Sequence, residues 1–366
     1  MNKFHKIILN NTSKTRASLK IQDGCDNRCS YCIIPFARGK NRSADLDFIL
    51  EQIKLYEQAG FKEIMLTGIH IGQWSEEKGK SKKQKAKGDR AFGETQVLEE
   101  CHCEEGQSPD AAIQSVYHLQ FTVHSTNLPT LQPSNPPKKL LYLLKNIEEH
   151  TNIPRFRLGS LNPLEINDEM LDFLKNSEKF CPHFHLSLQS MCDKTLKSMN
   201  RHYSVQRALE LIEQISEIFP LGFIGSDIIA GFANESEEDF ATTVENLQKS
   251  KLTQIHTFPY SIRKGTAAEK FENHLPQQIK EKRAKIIKEI SAQKYAEFLQ
   301  KNLGTVQEVL IEKNLDRKTG LLKGVTRNYL NVFIKSDIDF ELVKKTLRKV
   351  EIEDVEGQIL GKIVLI

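Results

Sequence analysis

Three cysteines stand within eight residues, Gly24-Cys25-Asp26-Asn27-Arg28-Cys29-Ser30-Tyr31-Cys32, in a Cys-x3-Cys-x2-Cys spacing. Three thiolates on so short a loop match three irons of a 4Fe–4S cube and leave the fourth iron without a protein ligand. An open coordination position separates a reactive metal centre from a closed structural one. Zinc is the competing ion, and it wants a fourth Cys or His; His5 and His70 are distant in sequence. Three unrelated core cysteines are the remaining alternative. Cys101, Cys103, Cys181 and Cys192 bring the total to seven, an odd number that argues against a disulfide framework. Cys101-His102-Cys103 is a second, shorter metal candidate, set against plain solvated thiols.

A reactive loop needs rigid elements to hold it. Apolar runs at Leu19–Gln22, Glu63–Thr67, Arg155–Leu158, Phe184–Leu188, Ile224–Ile229 and Gln254–Phe258 read as strands. Between them, Asp45–Ala59, Lys138–His150, Asn167–Lys175, Val205–Phe219 and Ser236–Lys249 carry helical patterns. Asp45 and Ser236 sit where N-caps belong, and Gly60 where a C-cap does. Six β-α units build either an open doubly wound sheet or an incomplete barrel. In a barrel, chemistry collects at the C-terminal strand ends. Ser187, Gln189, Asp227 and Gly231 fall there, as cofactor or substrate contacts or as ordinary caps and turns.

The segment 74–137 breaks the alternation with a Lys/Gly-rich start, an acidic centre and a Pro/Ser/Asn-rich end, and it reads as a disordered insertion. Ser75–Arg90 holds seven Lys/Arg and three Asp/Glu, which accounts for the whole net charge of +4, so pI alone says little about nucleic acid. From Gly304 the character changes. Val306–Ile311, Leu321–Val325, Asn331–Ile334, Lys349–Ile352 and Gln358–Ile366 suggest a small OB-like β-barrel, an architecture that often binds oligonucleotides. The preceding helix, Gln277–Gln300, places Ile279, Arg283, Ile286, Ile287, Ile290 and Phe298 near one docking face. Lys280, Lys282, Arg283, Lys285 and Lys288 on that helix, and Lys318, Lys323 and Arg327 in the small barrel, suit phosphate contact. Arg38 and Arg42 suit phosphate contact or simple solvation. No run approaches the ~20 apolar residues of a membrane span, so a cytoplasmic protein is the default.

Leu19-Lys-Ile-Gln-Asp-Gly-Cys-Asp-Asn-Arg-Cys-Ser-Tyr-Cys-Ile-Ile-Pro-Phe-Ala-Arg-Gly39 with Arg42-Ser43 forms one longer motif. Leu66-Thr-Gly-Ile-His-Ile-Gly72, Ser187-Leu-Gln-Ser190, Met199-Asn-Arg201, Asp227-Ile-Ile-Ala-Gly231, Glu235-Ser-Glu-Glu-Asp-Phe240 and Phe258-Pro-Tyr-Ser261 accompany it. Together they resemble the radical S-adenosylmethionine (SAM) superfamily, and within it the methylthiotransferase branch, closest to the enzymes acting on threonylcarbamoyladenosine in tRNA. The resemblance implies a partial (β/α)6 radical SAM barrel over 19–301, a TRAM-like RNA-binding barrel over 302–366, and an N-terminal remnant or linker over 1–18. It implies one 4Fe–4S cluster on Cys25, Cys29 and Cys32, with SAM chelating the open iron. It implies Tyr31 beside the adenine, Gly68 beside the methionine moiety, and tRNA and an electron donor such as flavodoxin or ferredoxin as partners. The activity implied is 2-methylthiolation of threonylcarbamoyladenosine next to the anticodon. A sister enzyme acting on isopentenyladenosine or on a ribosomal-protein aspartate is one alternative. A non-catalytic iron–sulfur RNA-binding protein is the other.

Members of that branch carry an N-terminal domain with a second 4Fe–4S cluster, and the cysteines here do not reproduce its pattern. The expectation is a chain that cleaves SAM without inserting sulfur. Phe232-Ala-Asn-Glu235 replaces the branch's Phe-Pro-Gly-Glu, and Met191 stands where Gly is usual; Asn234 tolerates the left-handed backbone such a turn needs. Deleting Ser75–Pro136 is expected to leave cluster content and melting temperature essentially unchanged. A large fall in either, by iron assay or calorimetry, would show the segment to be structural.

Overall fold

The computed structural model describes residues 14–76, 137–335, 338–355 and 358–364. The chain enters with β1 (Ala17–Lys20), followed by the short antiparallel pair β2 (Gln22–Asp23) and β3 (Arg42–Ser43). It then runs through β4 (Glu63–Thr67), β5 (Arg155–Leu158), β6 (His183–Gln189), β7 (Phe223–Ala230) and β8 (Gln254–Pro259). β1, β4 and β5 pair in parallel, as do β6, β7 and β8, and the bridges Phe156↔Phe180 and Leu161↔Leu186 join the two groups. The result is the incomplete six-stranded barrel, not the open sheet. The first strand begins earlier than its apolar run, at Ala17, and a break at Ile21 hands the chain to β2, from which the cysteine loop starts.

Helices cover the outside: α1 (Ile34–Arg38), α2 (Leu46–Gln58), α3 (Pro137–His150), α4 (Asp168–Asn176), α5 (Asp193–Ser198), α6 (Val205–Ile218), α7 (Glu237–Lys249) and α8 (Gln277–Asn302). α1 buries no residue, whereas the longer ones each bury one stripe. In α2 it is Leu46, Ile49, Leu50, Ile53 and Tyr56, at the spacing of a single helical face. These meet Leu19, Leu66 and Leu158, which are in register across β1, β4 and β5. Ser236 and Asp239 form a capping box on α7, and Gly60 ends the α2 turn in the left-handed region at φ 82°. Asp45 holds the cap position of α2 without a side-chain cap hydrogen bond.

Two expectations need correction. Trp74 does not begin an insertion: it is buried, and its indole Nε1 donates to Ala44 O at 2.9 Å. At the other boundary Pro137 already starts α3. The buried face of α8 is Lys280, Arg283, Ala284, Ile287, Ser291, Lys294, Phe298 and Asn302, so Arg283, Ile287 and Phe298 of the expected face are buried, Ile286 and Ile290 pack at its edge, and the face is more polar than expected. Its polar members are buried because they have partners: Lys294 Nζ donates to Ser250 O at 2.7 Å, and Ser291 Oγ accepts from Ile255 N at 2.8 Å. Cys101-His102-Cys103 and the rest of 77–136 lie outside the described residues. Among the described residues no helix is long and apolar enough to cross a membrane.

β9 (Val306–Ile311), β10 (Leu322–Thr326), β11 (Asn331–Lys335), β12 (Leu347–Val355) and β13 (Gln358–Ile363) close into a small barrel, with α9 (Phe340–Val343) between β11 and β12. Its core of Val309, Ile311, Leu322, Val332, Ile334, Val350 and Ile352 extends to Phe298 of α8 and Phe223 of β7. The small barrel thus seals the N-terminal mouth of the large one. The first residues of β4 and β5 supply the joint. Glu63 lies 3.1 Å from Arg157 and 3.5 Å from Arg155, all three side chains essentially solvent-free. Arg155 reaches on to Glu308 at 2.9 Å, and Arg157 donates to Arg327 O at 2.8 Å. Burial opposes the charge on Glu63, but Arg157, Arg16 and Arg155 outweigh it and hold the carboxyl below the usual range. Its stabilisation is therefore present at neutral pH and lost as acid protonates it. Glu63→Gln strands buried guanidinium charge and is expected to cost roughly 3 kcal/mol. Urea unfolding checks this, and a loss below about 1 kcal/mol would mean that water reaches the joint.

Candidate active site

The cysteine loop lies between β2 and α1 at the C-terminal mouth of the barrel and is held by hydrogen bonds more than by packing. Cys25 N donates to Gly39 O at 3.1 Å, Cys32 N to Cys29 O at 3.1 Å, and Ser30 N to Met199 O at 3.0 Å. Gln22, fully buried on β2, fastens the loop's base. Its Nε2 donates to Gly24 O at 2.6 Å and Asn41 Oδ1 at 2.7 Å, and its Oε1 accepts from His70 N at 2.8 Å.

Two cationic side chains face the thiols. His70, on the turn after β4, brings Nδ1 to 3.5 Å from Cys25 Sγ, while its Nε2 pairs with Glu165. Burial disfavours the charged imidazole, yet the Cys25 thiol and the Glu165 carboxylate outweigh burial and push its pKa up to about 10. Arg201, just beyond α5, lies 3.7 Å from Cys29 Sγ and donates to Ser187 O at the end of β6. Its Nε is buried without a partner. Burial, reinforced by the neighbouring Cys29 and Cys25, pushes the Cys32 thiol up to about 11. Burial likewise raises the Tyr31 phenol well above its usual value, and its ring meets Phe232 edge-on at 6.3 Å.

This arrangement fits a 4Fe–4S cluster. All five described cysteines are free thiols. Among the described residues, no set of three or more His, Cys, Asp or Glu converges on a single metal position. A cube needs no common focus, since each thiolate takes its own iron. A cluster on three thiolates is anionic, and a charged imidazole and a guanidinium with an unspent buried donor stand beside it.

The other residues expected at the site divide. Ser187 contributes its carbonyl to Arg201. Gln189 closes β6 with φ 70°, a left-handed backbone rare for a side-chain-bearing residue, just past a register shift. The Asp227 carboxylate is taken by His185 Nε2 at 2.9 Å. Gly231 has φ 72°, and a Cβ there would lie 2.7 Å from Lys280 Cγ, so packing against α8 already requires glycine. At Gly68 a Cβ would meet Gln22 O and Oε1 at 2.9 Å; this glycine makes room for the scaffold amide. Asn234 adopts φ 64°, as the turn requires.

In the small barrel, Lys318 is exposed on the β9–β10 turn and Lys323 lies 3.5 Å from Glu312. Arg327 is engaged within the chain: its guanidinium donates to Phe180 O at 2.8 Å and lies 3.5 Å from Glu308, joining the two barrels. On α8, Lys280 and Arg283 are buried, Arg283 between Glu235 at 2.6 Å and Glu237 at 2.7 Å, so the basic run is not one exposed patch. Sequence reasoning missed Gln22, Glu165 and Arg201 as site residues and set His70 aside. The available signal was position, since His70 follows β4 and Arg201 follows the helix after β6.

A family model described as the radical SAM superfamily matches residues 19–96 and 114–247. The chain belongs to the radical SAM superfamily. The chemistry of that superfamily runs on a 4Fe–4S cluster and SAM. Among curated relatives, this radical SAM protein is 34% identical over 318 residues to a threonylcarbamoyladenosine tRNA methylthiotransferase MtaB of Aquifex aeolicus, covering 87% of this chain and 62% of the relative. It is 29% identical to the protein of the same name in Bacillus subtilis, covering 95% and 65%. A tRNA-2-methylthio-N(6)-dimethylallyladenosine synthase of Acetivibrio thermocellus is 28% identical, with 94% and 61% covered. The chain therefore spans a little over three fifths of the length of these relatives.

Anaerobic reconstitution is expected to load one cluster per chain. Cys25→Ala, Cys29→Ala or Cys32→Ala should abolish it, and Arg201→Ala should reduce iron retained after gel filtration several-fold. An intact cluster in any Cys variant would overturn the ligand set.

Proposed function

We propose that the chain carries the radical SAM part of a tRNA methylthiotransferase, acting on the 2-position of threonylcarbamoyladenosine beside the anticodon. The observation that carries this reading is the triple-thiol loop set between His70 and Arg201, in a chain whose relatives bear methylthiotransferase names. Cys25, Cys29 and Cys32 would hold a 4Fe–4S cluster, which together with SAM would supply one-electron radical chemistry.

The chain's own residues bind and orient. Gln22 ties the loop to the turn after β4, so His70 and Cys25 keep one geometry. Arg201 ties Cys29 to the end of β6, where Ser187 and Gln189 would border the cofactor. Tyr31 supplies an aromatic wall, packed on Phe232. The small barrel supports tRNA as partner through Lys318 and Lys323, and flavodoxin or ferredoxin suits the electron supply. RNA modification of this kind fits the cytoplasm.

The reduced, cluster-loaded protein with SAM is expected to release 5′-deoxyadenosine, with at least about 100-fold less from Cys29→Ala, since ligand loss removes the whole reactive centre. Its tRNA binding should weaken as salt rises, and Lys318→Ala with Lys323→Ala should flatten that slope by about two counterions. Mass spectrometry of digested tRNA identifies the transferred group. No deoxyadenosine from a loaded, reduced sample would overturn the catalytic reading in favour of a cluster-bearing RNA-binding protein.

A further inference from the structure

One group of polar side chains inside the barrel takes no part in holding the cluster. His185 on β6, Asp227 on β7 and His256 on β8 lie together. His185 Nε2 is 2.9 Å from Asp227 Oδ2, and the His185 and His256 rings stack with centroids 5.5 Å apart and planes 28° from parallel. Asp227 and His256 are in register on neighbouring strands. Alternation decides which way they face. Ile255 and Thr257 are buried, and Ile255 shares its core with Ala284 and Ile287 of α8, so that face of β8 is the outer one. Gln254, His256 and Phe258 therefore project into the barrel, where His256 is exposed.

We propose that His256, carried on the His185–Asp227 pair, is the residue that reads the substituent on N6 of the substrate adenosine. This rests on the reading of the protein as a tRNA methylthiotransferase. The two adenosines in the relatives' names differ most at that substituent. Threonylcarbamoyl ends in a carboxylate and a hydroxyl, whereas dimethylallyl is hydrocarbon. Ile229 and Phe258, in register one step nearer the mouth, offer an apolar shelf for a base. Below them the interior turns polar. At the floor, Arg16, Arg155, Arg157 and Arg327 face Glu63, Glu308 and Glu312, an excess of positive charge. A carboxylate entering this interior gains an imidazole N–H donor, set against the charge of Asp227, which His185 takes. A prenyl group would instead strip water from two imidazoles and a carboxylate and return nothing. Asp227 fixes the orientation of His185, and the stack passes that orientation to His256, so these two are positioning residues.

The test is equilibrium binding of three anticodon stem–loops, carrying threonylcarbamoyladenosine, dimethylallyladenosine or plain adenosine, to the cluster-loaded protein with SAM. Wild type is expected to prefer the threonylcarbamoyl RNA over both others by at least ~10-fold, the scale of one charge-assisted hydrogen bond. His256→Leu should bring the three affinities within about 2-fold of one another, mainly by weakening the first. His256→Gln keeps a donor and should retain part of the preference. Both substitutions fall on an exposed side chain, and iron content and melting temperature verify the fold. A His256→Leu protein with undiminished preference overturns the inference alone, as does a wild-type preference for the dimethylallyl RNA. No affinity for any stem–loop overturns both the inference and the reading on which it rests.

Discussion

Three thiolates with a metal cluster concentrate negative charge at one point, and a protein that carries them must bring compensating charge to the same place. The cysteine loop has little with which to do this: Arg28 points to the exposed ring of Phe36, and Asp26 adds charge of the wrong sign. Compensation comes from His70 on the turn after β4 and Arg201 beyond α5, two elements far apart in sequence. Each is aimed by a further contact, His70 by Glu165 and Arg201 by the carbonyl of Ser187. Much of the local architecture follows from that need. Gln22 is buried because its amide must serve the cysteine loop and the His70 turn at once. Gly68 has no side chain because Gln22 lies against it.

The opposite mouth meets a different problem. A six-stranded barrel leaves its N-terminal end open, and the first residues of β4, β5 and β6 are Glu63, Arg155 and His183. The guanidinium groups of Arg155 and of Arg157 on the same strand are buried because Glu63 and the small barrel together supply partners. Glu308 and the carbonyls of Val325, Thr326 and Arg327 take the guanidinium donors, and Tyr329 lies 4.5 Å from the His183 ring. Charge that would be costly alone becomes a joint when both sides are present. Arg327 and Arg283 show the same logic. Both read as phosphate ligands in a linear sequence, and both are committed to partners within the chain.

Local pattern was enough to recover the longer elements, though not the short β2, β3, α1, α5 and α9. The six parallel strands, the longer helices between them and the five strands of the small barrel follow from apolar periodicity and turn residues, which act over a few positions. The cysteine triad was legible for the same reason, since three ligands on one loop need no fold to bring them together. Ser236 with Asp239 and the left-handed Asn234 are further local decisions. What sequence could not convey is anything set by pairing across distance: Arg201 beside Cys29, Glu165 behind His70, His256 stacked on His185, or the polar stripe by which α8 is buried. A lone arginine or histidine carries the same local signature whether it faces solvent, a carboxylate or a cluster. Only the tertiary structure assigns its partner, because a charge is buried or exposed according to which strand ends the barrel brings together.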